Sequence, residues 1–484
     1  MAQIVRVGYA SGLRSGGAPV KTQLDRRDAA SFFEQCVMRR VFGSGSGAGS
    51  PVSSWVAVGP ILVSLAFILF SYCFYHARSS ADFMALWLAG ESLAKGAPNL
   101  IYRIDPAYFT MLPPAEWIER LHSRGYRGDV YPYIYPPLWA WLAAKATGVM
   151  HYETLRTVAG ALNPVLMVAT VALAWRVVAP AMSLALYLAI GSICTALSSV
   201  GVYALFQDQP QILVAFLTLV AIERAEHGKP YLAGIALALA AAIKLYPALY
   251  VILWLASGKR QAAYSFVVTG VVLGGLSVAA TGWPLHAQFL HVLGTVADTA
   301  VITRLSYAWE SLAAQTFYWN QTHLIESLPV DPADPGRVYW VVLAKPLALS
   351  MLFKGLLVAA LAGLARLFHE ARCRDERAAL WPLAFALLPL LSPIGWCYYY
   401  LSAVAFVPIL VSRLGVACGS ALIVALILGT SPFLSLQHTT SAAEAMHDIR
   451  LGQGLGTLTI SAYCVVLFVI RRRRDQPVGV GRAG

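Results

Sequence analysis

Stretches of roughly 17 to 25 apolar residues, the length a helix needs to cross the hydrocarbon layer of a bilayer, recur through most of this 484-residue chain. A β-barrel does not fit, because its strands are shorter and alternate in polarity. Composition points the same way: 58% of residues are hydrophobic and 12% charged, more apolar than a soluble domain of this length can bury. Spans are expected near 55–76, 136–150, 157–178, 182–205, 209–225, 230–256, 261–281, 338–365, 378–394, 397–412, 416–435 and 453–470. The expected fold class is therefore an all-α integral membrane protein, a polytopic bundle of about 12 transmembrane helices.

The net charge of +12 lies mostly at the ends. Residues 1–54 carry seven Lys/Arg against three Asp/Glu, and 471–484 carry five against one. Basic ends flanking apolar spans are the positive-inside signal, not a nucleic-acid surface, so both tails are expected in the cytoplasm. They flank a transmembrane domain at 55–470 with two long loops. Loop 78–130 holds six basic and six acidic residues, and loop 286–337 holds two and five. Both loops suit the outer side, and the net-positive segment Arg366 to Arg377 suits the inner. The run Gly43 to Gly47 reads as linker, and with no signal-peptide core before it the first span is expected to be an uncleaved anchor. The seven cysteines show neither CxxC nor His-paired spacing, which implies no disulfide framework and no metal site.

Chemistry-bearing residues gather around the two outer loops. Phe83, Leu86, Trp87, Gly90 and Leu93 recur at helical spacing up to Lys95-Gly96, predicting an amphipathic helix at the membrane surface. Asp82 starts it, either as a cap or as a reactive carboxylate. Glu91 falls near the opposite face and should not pair with it. Lys244 interrupts an uncharged stretch from Tyr231 to Ser257, where a charge costs on the order of 2.5 kcal/mol unless paired or wetted. It is either a snorkelling lysine or a cation facing a lipid phosphate, and Pro247 can break the helix beside it. Gln207-Asp208-Gln209-Pro210-Gln211 is a polar connector or a hydrogen-bonding clamp for sugar or phosphate.

The second loop sets Arg304, Glu310, Asn320-Gln321-Thr322 and His323 among Trp309, Tyr318 and Trp319. That suits sugar binding or an ordinary interfacial aromatic belt; Asn320-Gln321-Thr322 also matches the N-glycosylation sequon, relevant only in a eukaryotic secretory membrane. In Ser392-Pro393-Ile394-Gly395-Trp396-Cys397-Tyr398-Tyr399-Tyr400, three consecutive tyrosines cannot share one helical face, so at least one points inward.

In order, these elements resemble glycosyltransferase family 87. The matching features are Asp82-Phe83, the Gly96 to Tyr102 step, Tyr135-Pro136-Pro137-Leu138, Gln207 to Gln211, Gly234 through Lys244 to Pro247, Asn320-Gln321-Thr322, and Ser392-Pro393 followed by Trp396. The resemblance implies the C-type glycosyltransferase fold and an inverting hexosyltransferase, most simply an α-mannosyltransferase of a bacterial inner membrane. Its donor would be a polyprenyl-phosphate-linked sugar and its acceptor a glycolipid or glycan on the extracytoplasmic face. Asp82 would be the general base, Lys244 and Arg304 would hold the donor phosphate, and Gln207, Gln209, Glu310, Asn320, Gln321, His323, Trp396, Tyr398 and Tyr399 would contact substrate. No cofactor or metal is implied. One departure stands out: members often carry a histidine pair just after the Ser-Pro-x-x-Trp segment, where this chain has Tyr398-Tyr399-Tyr400. A lipid flippase or transporter, or a related enzyme using arabinofuranose, are the rival readings.

Overall fold

Among the described residues, five helices are long and apolar enough to cross a membrane: Val58–Tyr75, Tyr152–Val178, Arg260–Thr281, Leu347–Glu370 and Ala442–Arg472. The pair Leu184–Leu197 and Ser199–Phe206, bent by 71°, makes a sixth if counted as one span. These come from a computed structural model that describes residues 52–76, 78, 80–105, 107–327, 338–434 and 441–475. Residues 1–51 and 476–484 of the two expected tails, with the linker at 43–47, and the end of the second loop at 328–337 lie outside the described residues. Ile61, Leu62, Leu65, Leu69, Val271, Val272, Leu352 and Val358 face outward on the long helices. Such surfaces are stable only with lipid as solvent; the chain is a helical membrane protein.

The other expected spans are shorter or broken. Segment 136–150 becomes Pro137–Thr147, 11 residues long, about 17 Å at 1.5 Å per residue and too short to cross about 30 Å of hydrocarbon. Segment 230–256 splits into Pro230–Ile243, a 3-10 turn Tyr246–Leu249 and a helix Tyr250–Ala256. Lys244 sits at the split in extended conformation (φ −138°, ψ 131°), where Pro247 cannot continue the ladder. Segment 397–412 is a 3-10 turn followed by two short helices, Leu401–Val404 and Ile409–Leu414. The expected span 338–365 begins as a strand, turns at Lys345-Pro346, and only then becomes Leu347–Glu370.

The helix after the first span runs from Ala81 to Ala94, with Ser80 as N-cap accepting from the Phe83 N–H. Lys95 and Gly96 close it, Gly96 taking the left-handed conformation (φ +71°) that ends helices. It is not the surface-lying amphipathic helix expected. The first loop folds back over it, so that Phe83, Met84, Leu86 and Leu88 are enclosed by Ile101, Tyr102, Trp117, Leu121, Tyr133 and Leu285. The amphipathic helix of this loop is Ala115–Ser123, which buries only Trp117 and Leu121. Glu91 indeed stays apart from Asp82: Arg124 and Lys95 hold it at 2.6 and 2.5 Å, and against the upward push of burial they set its carboxyl at about 2.

The second loop and the start of the expected span after it form a small sheet that hydropathy did not reveal. Strands β1 (Thr299–Ile302), β2 (His323–Glu326) and β3 (Tyr339–Ala344) pair antiparallel in the order β1-β3-β2. Thr299 lies opposite Ala344, and His323 opposite Val342. Ala300, Ile302, Val341 and Leu343 pack on Ala314, Leu349, Phe353 and Ile449. Helix Ala442–Asp475 reaches this far because its 34 residues span about 51 Å, well beyond the hydrocarbon layer.

The helix bearing Lys244 at its end is fixed by a close helix–helix approach. A Cβ added at Gly234 would fall 2.5 Å from Phe266 N and 2.6 Å from Ala262 O, backbone atoms that move only if the helices separate. Small residues allow such contacts in membranes, where packing rather than hydrophobicity drives association. Gly234→Ala should therefore lower stability by about 1–3 kcal/mol, read as a drop in melting temperature of the detergent-purified protein; an unchanged melt would show that the two helices are not packed this closely.

Candidate active site

The turn Gln207 to Gln211, between helices Ser199–Phe206 and Gln211–Glu226, gathers the site. Asp208 holds a left-handed backbone (φ +43°), a conformation that aspartate tolerates better than most residues. Asn163 donates to its carboxylate at 3.0 Å and Arg156 lies 3.7 Å away. With Asp208 anchored outward in this way, Gln207 and Gln209 face the start of helix Ala81–Ala94. The Gln207 amide oxygen accepts from the N–H groups of Ala81 (2.8 Å) and Asp82 (3.3 Å), and the Ser80 hydroxyl donates to the Gln207 carbonyl at 2.6 Å. The first three N–H groups of that helix are thus satisfied by Gln207 and Ser80. The Asp82 carboxylate is not the cap.

Instead, Asp82 accepts from the Gln209 amide. Gln209 is wholly enclosed, and its oxygen accepts from Tyr135 at 3.2 Å and from Lys244 Nζ at 3.4 Å. Only one orientation of the amide serves these partners, since a lysine ammonium only donates and a carboxylate only accepts. One glutamine therefore bridges a carboxylate and an ammonium. Burial pushes the Asp82 carboxyl up to about 6, with the Lys244 charge and the Gln209 hydrogen bond pulling the other way. The result is a carboxylate that is ionised at neutral pH yet more basic than an ordinary one.

Lys244 is otherwise held by rings. Its Nζ lies 5.3 Å from the Tyr135 ring centroid, 4.9 Å from Tyr398 and 4.7 Å from Tyr399. Each aromatic face attracts a cation without neutralising it. Tyr246 stacks on Tyr399 at 5.5 Å and is itself held by Gln211 at 2.6 Å. Trp396 stacks on Tyr398 at 6.0 Å. The segment carrying these rings is pinned by Cys397 N–H to Leu305 O (2.7 Å) and Tyr307 N–H to Gly395 O (2.6 Å). Gly395 is required there, because a Cβ would fall 2.7 Å from Pro389 O. Of the three tyrosines, Tyr398 and Tyr400 are buried, and Tyr400 is fully enclosed and donates to Tyr307 O.

Asp82, Gln207, Gln209, Lys244, Trp396, Tyr398 and Tyr399 thus come together from regions far apart in sequence. Arg304 lies on the turn that pairs with Trp396, and Tyr131 is within electrostatic range of both Arg304 and Asp82. Gln207 and Gln209, expected to contact substrate, have their side chains engaged inside the protein. Glu310 is almost fully enclosed in an ion pair with Lys345. Asn320, Gln321 and His323 are exposed. His323 stacks on Tyr108 at 5.3 Å, and no hydrogen bond, ion pair or ring contact joins these three to the Asp82 cluster among the described residues. Sequence reading did not pick out Tyr135 or Tyr246 as site residues, although each directly adjoins a proline that starts a helical turn.

The arrangement offers a basic carboxylate and a caged cation a few ångströms apart, within an otherwise aromatic surround. It suits a reaction in which a proton leaves one atom as negative charge grows on another. No curated protein matches the sequence. The family model of Glycosyltransferase family 87 matches residues 133–393, more than half of the chain, taking in Tyr135, the Gln207–Gln211 turn and Lys244 while leaving Asp82 and Trp396 to Tyr399 to either side. The chain belongs to glycosyltransferase family 87 and is a membrane glycosyltransferase.

Proposed function

We propose that the enzyme transfers a sugar, most simply mannose, from a polyprenyl-phosphate-linked donor to a glycolipid or glycan acceptor on the extracytoplasmic face of a bacterial inner membrane. Both termini then lie in the cytoplasm, and the fold is of the C-type glycosyltransferase class. One observation carries this reading: Gln209 links Asp82 and Lys244, placing a general base beside a cation. The acceptor hydroxyl oxygen attacks the anomeric carbon, and its proton passes to Asp82. The bond from that carbon to the phosphate oxygen breaks, and its electron pair leaves with the polyprenyl phosphate. A single displacement of this kind inverts the anomeric configuration.

The leaving phosphate gains negative charge, so an already positioned cation lowers the barrier. Lys244 takes that role, with Arg304, whose charge is felt at Tyr131 as that of Asp82 is, as a second cation. Tyr398 and Tyr399, where relatives often carry histidines, can donate to phosphate or sugar oxygens but do not titrate near neutrality. The exposed Asn320, Gln321 and His323 offer hydrogen bonds to an acceptor arriving from the aqueous side. Access of a lipid-borne donor is consistent with the broken helix at Lys244, since irregular backbone at membrane depth is tolerated where it lines a polar cavity.

In a transfer assay with purified protein and radiolabelled polyprenyl-phosphate mannose, Asp82→Asn should reduce the rate by about 10²–10⁴-fold with little change in melting temperature. Wild-type rate from a folded Asp82→Asn protein would end the proposal. Because a base must be ionised to accept a proton, and burial pushes Asp82 up to about 6, kcat/KM should fall as the pH drops below neutrality through about 6. An acid limb near 4 would place the base elsewhere. Lys244→Gln should cost about 10²–10³-fold in kcat; a change confined to KM would mean that the lysine binds the donor without assisting departure of the phosphate.

A further inference from the structure

Helix Tyr152–Val178 carries Arg156 beside Asp208 at the Asp82 end and Arg176 twenty residues later, about 30 Å along its axis. At that far end two carboxylates of helix Gln211–Glu226, Glu223 and Glu226, have fully enclosed side chains. Arg176 and Arg224 hold Glu223 at 2.8 and 2.5 Å. Lys259 and Arg377 face Glu226 at 3.2 and 3.5 Å. Arg374 adds a fifth cation but has no carboxylate within ion-pair distance among the described residues. It donates to Arg176 O at 3.2 Å and lies 3.0 Å from His227 Nε2. His227 Nδ1 lies 2.9 Å from Glu223 O and 3.3 Å from its carboxylate.

Five cations thus surround two carboxylates, and Arg374 and Arg377 both repel Lys259. The Arg374 Nε–H is enclosed without a hydrogen-bond acceptor, and the Arg377 Nε–H has Glu226 Oε2 no nearer than 3.5 Å, so both guanidinium groups keep donor capacity for an added anion. Helix Arg260–Thr281 begins at the same place with Lys259 at its N-cap and no side-chain cap; its Arg260 N–H is taken by Gly258 O at 2.9 Å, and the positive end of its dipole adds to the charge there. The nearby acidic residues are directed elsewhere: Glu376 accepts from Arg372 N–H at 2.6 Å, and Asp375 lines a neighbouring cleft with Arg413 and Arg471.

We propose that this end of the bundle, roughly a bilayer thickness from Asp82, binds a phosphate-bearing anion on Arg374, Arg377 and Lys259. Phosphate fits because the planar guanidinium forks match its oxygens and a lysine ammonium adds a point charge. The phosphate belongs either to the headgroup of an anionic lipid or to a small soluble ion.

Thermal melts of the full-length protein in nanodiscs distinguish the sources. In phosphatidylcholine discs, inorganic phosphate should raise the melting temperature above a chloride control of equal ionic strength if the ligand is soluble. If it is a lipid headgroup, phosphatidylglycerol discs should raise it and free phosphate should not. In either case Arg374→Gln should weaken the response about tenfold or more in ligand concentration, Arg374→Lys should keep much of it, and Arg366→Gln, at an exposed arginine paired with Glu370, should respond like wild type. If Arg374→Gln does not fold, Arg377→Gln replaces it. No stabilisation by either ligand, or an equal response from the Arg374 or Arg377 variant, would overturn the proposal.

Discussion

Gln209 is the side chain on which the site depends. A carboxylate and an ammonium placed together in an apolar surround ordinarily collapse into a direct ion pair, each quenching the other. Here one enclosed amide stands between them, donating to Asp82 and accepting from Lys244 and Tyr135. Asp82 and Lys244 are thereby kept from quenching each other in direct contact, which suits a base and a lysine that faces a phosphate. The turn that supplies Gln209 is held by Asn163 and Arg156 through Asp208, and it also supplies Gln207 to the start of the Asp82 helix. A five-residue connector thus fixes both halves of the site.

The bilayer explains why the helices around this site are broken. Continuous helices satisfy their own backbone and offer side chains only along their flanks. Breaks at Lys244 and between residues 390 and 401 let Lys244, Tyr398 and Tyr399 project from chain ends toward one point. Long, uninterrupted helices such as Arg260–Thr281 and Leu347–Glu370 instead present exposed apolar faces. Continuity serves the lipid boundary, and interruption serves the site.

Much of this was legible in the sequence. Apolar length identified the membrane, and the ends of helices Tyr152–Val178 and Arg260–Thr281 lie within a few residues of expectation. Lys244 stood out because a charge in an uncharged stretch needs a partner. What hydropathy could not separate was a crossing helix from a shorter or broken one: Pro137–Thr147 is as apolar as a span but too short. Nor could it separate strand from helix at Tyr339–Ala344, where β-branched and aromatic residues followed by Lys345-Pro346 were the readable sign. Helix Ala81–Ala94 read as amphipathic because its own residues do not reveal that the rest of the loop covers it. Gln207, Gln209 and Glu310 looked available to substrate, and their partners, the Ala81 and Asp82 N–H groups, Lys244 and Lys345, lie 35 or more residues away.

The functional account rests on where the donor sits. Its most direct test is a structure of the protein in a lipid nanodisc with a non-hydrolysable polyprenyl-phosphonate sugar bound. The account predicts the phosphonate within hydrogen-bond reach of Lys244 Nζ, beside Tyr398 and Tyr399, with the anomeric carbon turned toward Asp82. A donor bound with its phosphonate remote from Lys244, or with Asp82 on the far side of the sugar from any acceptor path, would contradict it.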